Sequence, residues 1–168
     1  MFEFARWLGS TPLSIGIQSI SWLTPLLQAI HIVMVGIVFV SVLMIVLRIH
    51  GRVRTDEPFI HTWRRFAPWL WSALSVMAFT GLILTIGEPV REATALSFWL
   101  KMILIVVAVV SVLGLRRAVA GIAGPTIPAG TRHAAKLVLL VWITIVFLGR
   151  AIAYDVEVWR SLSLVHHT

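Results

Sequence analysis

Four stretches of this chain stay apolar for as long as a helix needs to cross a bilayer, and no soluble fold could bury them all. They are Pro25–Leu47, Phe66–Ile86, Phe98–Leu115 and Leu137–Tyr154. At 1.5 Å of rise per residue, about 20 residues cross a hydrocarbon layer of ~30 Å. Inside lipid each backbone N–H and C=O must find its partner within the protein, so a span is either a helix or a strand of a closed barrel. The ten-residue alternation of a barrel is absent, and the stretches are apolar all round. The reading is an all-α integral membrane four-helix bundle, forming one membrane domain over residues 1–168. Composition agrees, since 59% of residues are hydrophobic and only 12% are charged.

Residues 2–22 read differently. Thr11-Pro12 is a cap followed by proline, and Leu13, Ile17 and Ile20 share one side of a short helix. With Phe2, Phe4 and Trp7 ahead of it, this segment is expected to lie in the interface as a short N-terminal helix. Glu3, Arg6 and the lack of a following apolar run do not fit a signal peptide. Thr24 is expected to cap the first span, with Pro25 in its first turn.

The formal net charge is +7, and its placement gives the orientation. Arg48, Arg52, Arg54, Arg64 and Arg65 follow span one, opposed only by Asp56 and Glu57. Arg116, Arg117, Arg132 and Lys136 follow span three with no acid beside them. On the other side Arg6, Arg91, Lys101, Arg150 and Arg160 are balanced by Glu3, Glu88, Glu92, Asp155 and Glu157. The basic loops are expected to be cytoplasmic and both termini periplasmic, in a bacterial inner membrane. The excess charge is accounted for by orientation and calls for no nucleic acid. Trp7, Trp22, Trp99, Trp159 and Tyr154 fall at the outer edge and Trp63 and Trp69 at the inner one, as an aromatic belt predicts.

Polar groups within the spans carry the functional signal. His31 lies about 9 Å of helix rise beyond Pro25, too deep for its short side chain to reach water. Gln28 is three residues earlier, on the same face. Such a histidine is either packing glue between helices or a ligand. Lys101 and Arg150 lie in the outer parts of spans three and four. They either snorkel to the headgroups or face inward near His31, where Arg150 and Tyr154, four apart, would form one wall of a pocket. If His31 ligates a metal, as in haem b, Met102 is the candidate second ligand at its depth. His50, His61 and His133 are a further set at the inner boundary.

The chain has no cysteine, which rules out disulfides, iron–sulfur clusters and cysteine nucleophiles. Phosphate-binding glycine loops and metalloprotease or serine-hydrolase motifs are missing too. The spans hold no carboxylate, so a proton-coupled transporter fits least. Gly36, Ser41, Ser72, Ser75, Gly81, Ser111 and Gly114 are small residues suited to close helix contacts.

Trp7 to Tyr154 also resembles a family of small four-span bacterial membrane proteins of unknown function. The resemblance rests on Leu27-Gln28-Ala29-Ile30-His31 with Gly36, Arg65-Phe66-Ala67-Pro68-Trp69 and Thr80-Gly81-Leu82. Phe98-Trp99-Leu100-Lys101 and Gly149-Arg150-Ala151-Ile152-Ala153-Tyr154 complete it. In layout the family is similar to the helical bundles of b-type cytochromes and copper-resistance D proteins, which implies redox or metal chemistry by analogy. The resemblance singles out His31, Lys101, Arg150 and Tyr154. It also implies a histidine near the inner end of span three, where this chain has Arg116.

Together these observations lead to two expectations. One is a redox-linked membrane subunit that binds haem b or a quinone-like ligand in its outer half, alongside partner membrane or periplasmic subunits. The other is a cofactor-free structural or assembly subunit. Neither reading makes the chain an enzyme on its own.

Overall fold

The computed structural model describes residues 2–120 and 127–151. Every regular element among them is a helix: α1 (Phe2–Gly9), α2 (Pro12–Ser19), α3 (Leu23–Ile49), α4 (Phe59–Gly87), α5 (Pro89–Thr94), α6 (Leu96–Ala120) and α7 (Ala129–Ala151). α3, α4, α6 and α7 are long and apolar enough to cross a membrane, and the chain is a multi-pass membrane protein. We call the end that carries the basic α3–α4 and α6–α7 loops the inner end.

The helices outrun the apolar stretches that announced them. α4 starts at Phe59 rather than Phe66 and runs unbroken through Arg64 and Arg65, because hydropathy marks where lipid ends and says nothing of where a helix ends. Pro68 sits inside α4, and it is exposed, so its missing N–H and its ring fall on the outside of the bundle. α3 begins at Leu23, and Trp22 occupies the capping position without a side-chain bond, so Thr24 lies inside the helix and does not cap it. At its other end Gly51, with φ of 68°, follows the last turn. The amides of Gly51 and Arg52 return to the carbonyls of Arg48 and Leu47, the bond pair of a glycine-terminated helix.

The N-terminal segment is two short helices instead of one. The chain turns at Ser10-Thr11, and the Thr11 hydroxyl accepts from the Ser14 amide at 3.4 Å, so the cap read from Thr11-Pro12 stands. Ser14 is fully buried and donates to the Ile86 carbonyl at 2.7 Å, while Gln18 donates to the Ser14 hydroxyl at 3.0 Å. These bonds fasten α2 to the outer end of α4. α1 packs on α5, a helix that the sequence reading did not anticipate.

α3 pairs with α4 and α6 with α7, and the two hairpins join along α3 and α7; α4 and α6 meet only sparsely. The apolar core occupies the inner part of this bundle. It runs from Val38 to Ile49 on α3, from Trp63 to Met77 on α4, from Ala108 to Val119 on α6 and from Ala135 to Ile145 on α7. Trp63, read as a belt residue, is only 6% exposed and belongs to this core. The Arg116 guanidinium lies 5.3 Å from its ring centroid, a cation–π contact that joins α6 to α4 at the inner end. Trp7, Trp22 and Trp69 stand exposed, as belt residues should. Ile32, Phe79, Val106 and Phe147 are likewise exposed, so each span turns apolar side chains outward.

Candidate functional site

Outward of Val38, Met77, Ala108 and Ile145 the continuous core ends, and His31, Thr80 and Lys101 bring polar groups among the apolar side chains. His31 stands about 10 Å of helix rise above Val38, and its ring lies against α4. Nδ1 is 2.9 Å from the hydroxyl of Thr80, which is itself 3% exposed. One residue on, Gly81 leaves room for the ring. A Cβ at Gly81 would stand 3.5 Å from Cε1 of His31, ordinary contact, but any longer side chain would collide with the imidazole.

The Thr80 hydroxyl also lies 2.9 Å from the Val76 carbonyl, a bond that threonines within helices commonly make. Its one proton goes either to that carbonyl or to the ring. In the first case Nδ1 carries the hydrogen and Nε2 the lone pair; in the second the two are exchanged. A histidine held through Nδ1 is the arrangement by which proteins orient the ring for a ligand at Nε2.

On the opposite side of the bundle Lys101 is half-buried on α6, and its ammonium group is directed at α7. A Cβ at Gly149 would be 3.9 Å from Nζ. Gly149 is itself exposed, so this contact sets the lysine beside α7 at the edge of the bundle. On α5, ahead of it in the chain, the Glu92 carboxylate is held by Arg91 at 3.3 Å, and Arg91 also pairs with Glu88.

The other expected site residues are exposed or lie outside the described residues. Gln28 is exposed on α3, one turn outward of His31. Arg150 is exposed beside Gly149, near the lysine. Met102 is 37% exposed on α6, next to Ile103 at 61%. Tyr154 lies outside the described residues. Among the described residues no three histidine or carboxylate side chains gather as a metal site; His50, His61 and His133 are at the ends of α3, α4 and α7 respectively, and His61 and His133 are exposed. Among the described residues Gly36 and Gly114 do not mediate close helix contacts, since a Cβ at either would meet nothing within 4 Å.

Sequence reasoning missed Thr80 as the histidine's partner. The available signal was depth: Thr80 is seven residues from the outer end of α4 and His31 eight from the outer end of α3. Antiparallel neighbours of equal depth can meet, but which of them do depends on helix rotation. No family model, curated protein or solved structure matches the chain, so its function is argued from this site alone.

Proposed function

We propose that the chain is an inner-membrane subunit of a redox-linked complex and holds a quinone-like ligand in the outer part of its bundle. The observation that carries this reading is the half-buried imidazole whose Nδ1 pairs with the Thr80 hydroxyl at 2.9 Å; in this reading Nδ1 carries the hydrogen, Nε2 is left as an acceptor, and Lys101 on α6 is the second polar group of the outer part. Nε2 accepts from a ligand hydroxyl, and the lysine donates to a carbonyl oxygen or balances negative charge on it. Such a ligand, when bound, supplies reversible two-electron, two-proton chemistry. The chain's own part is to fix the ring and to accept the ligand's hydroxyl hydrogen at Nε2.

The residues suit haem b less well. His31 offers one axial nitrogen with a proper outer hydrogen bond, but a second histidine at its depth is missing from the described residues. The orientation read from the basic loops puts the site in the periplasmic half. A second reading, a cofactor-free assembly subunit, draws on Gly36 and Gly114. Both are open to a helix from another protein, and small residues let helices approach closely.

The test is to purify the full chain gently in detergent, record its absorption spectrum and extract its lipid-soluble content. The proposal expects co-purified quinone in the parent protein and its loss in His31→Leu. A haem spectrum would favour the iron-ligand role of His31. Equal quinone content in both proteins would remove the site from the account.

A further inference from the structure

Five buried side-chain polar atoms lack a hydrogen-bond partner among the described residues, and four of them fall at the inner end of the α3–α4 hairpin. They are Nε of Arg48, Nε2 of His50, Nε of Arg54 and Oγ1 of Thr62. Buried polar groups are nearly always satisfied, so several orphans in one place call for something that satisfies them. Arg48 donates through Nη2 to the Glu57 carbonyl. Arg54 donates through Nη2 to both carboxylate oxygens of Glu57, at 2.6 and 2.8 Å. Two guanidinium groups are thereby gathered on one glutamate, which neutralises only one of them. Arg54 keeps this position with φ of 49°, the left-handed region that non-glycine residues seldom occupy. Thr62 is fully buried, one turn into α4, and its hydroxyl meets nothing.

The orphan set is three donors and an acceptor. Arg48 and Arg54 each have an unused N–H and Thr62 has an O–H. His50 turns Nδ1 to the Val46 carbonyl at 2.9 Å, which leaves Nε2 as the acceptor. The place lies where a span meets the headgroups, with Arg52, Arg64 and Arg65 exposed nearby. The Arg54 and Glu57 side chains remain 28% and 33% exposed, so the cluster opens to the interface. A carboxylate already occupies one edge of Arg54. Three unused donors suit a group with three or four oxygens, and arginine forks match phosphate geometry.

We propose that the inner end of the α3–α4 hairpin binds a phosphate group of an anionic molecule, with Arg48, Arg54 and Thr62 as its donors. At this depth the phosphate belongs either to an acidic phospholipid headgroup or to a soluble phosphate, and the chemistry of recognition is the same. The proposal is independent of the outer site.

The test titrates the detergent-purified full chain with short-chain phosphatidylglycerol, short-chain phosphatidylcholine and inorganic phosphate, read by calorimetry. Phosphatidylglycerol is expected to bind saturably and more tightly than phosphatidylcholine. Arg48→Gln and Arg54→Gln should each weaken it about tenfold or more, as loss of a charge-assisted bond does. Thr62→Val should weaken it a few-fold, and Arg65→Gln, on the exposed face, should not. Competition by inorganic phosphate would support a soluble source; binding of the lipid without such competition would support the headgroup. Arg54→Lys and Thr62→Val keep the test open if a glutamine variant misfolds. Affinities unchanged in Thr62→Val and the Arg48 and Arg54 variants, or lowered equally by Arg65→Gln, would overturn the proposal.

Discussion

Nδ1 of His31 and the hydroxyl of Thr80 share a hydrogen bond of 2.9 Å, and this bond joins α3 to α4 where the apolar core has ended. It fixes which ring nitrogen is free. Where the proton of Thr80 goes to Val76, Nδ1 donates and Nε2 is left as the acceptor, which is the tautomer the proposed site requires.

The first prediction concerns that direction. Nitrogen-15 resonance of histidine-labelled protein should show His31 neutral, with the hydrogen on Nδ1. Thr80→Val should weaken this preference. It should also reduce quinone affinity about tenfold, the scale on which outer hydrogen bonds matter to a ligating histidine.

His31→Leu separates a ligand from packing glue. Losing one interhelical hydrogen bond in a membrane bundle costs about 0.6 kcal/mol, so far-ultraviolet dichroism and melting should change little. Quinone should be lost in the same sample. A large loss of helix with no change in ligand content would point to a structural role only.

Gly81 tests the space beside the ring. Gly81→Ala should be tolerated, because its Cβ would sit at an ordinary 3.5 Å from Cε1 of His31. Gly81→Leu should push the imidazole from Thr80 and destabilise the protein by roughly 1–3 kcal/mol, as overpacking does. Melting temperature and ligand content together report both effects.

Ser14 is expected to hold the N-terminal helices on the bundle. Ser14→Ala removes the donor to the Ile86 carbonyl and the acceptor of Gln18, at a cost of about 1 kcal/mol. The loss should appear as faster amide exchange in α1 and α2, with the four spans unaffected.

The spans were legible in the sequence because lipid leaves the backbone no alternative to internal hydrogen bonds. Their ends were less so. Hydropathy falls at Arg65, yet α4 continues to Phe59 because its inner turns lie at the interface, where a helix can be polar. Trp63 looked like a belt residue by position alone; only the rotation of α4 places it in the core. The site was half legible. His31 and Lys101 stood out as polar residues at a depth that disfavours them, and both are half-buried. Thr80 did not stand out, because a threonine in a helix satisfies itself and gives no sign of need. Met102 and Gln28 matched His31 in depth or face, but depth does not set rotation, and both are exposed.

The central claim is that the outer part of the bundle binds a quinone through His31. The most direct measurement is a titration of the detergent-purified full chain with a short-tailed benzoquinone, followed by quenching of tryptophan fluorescence, in parent protein, His31→Leu and Thr80→Val. The account predicts saturable binding in the parent, about tenfold weaker binding in Thr80→Val and none in His31→Leu. Equal titration curves for the three proteins would contradict it.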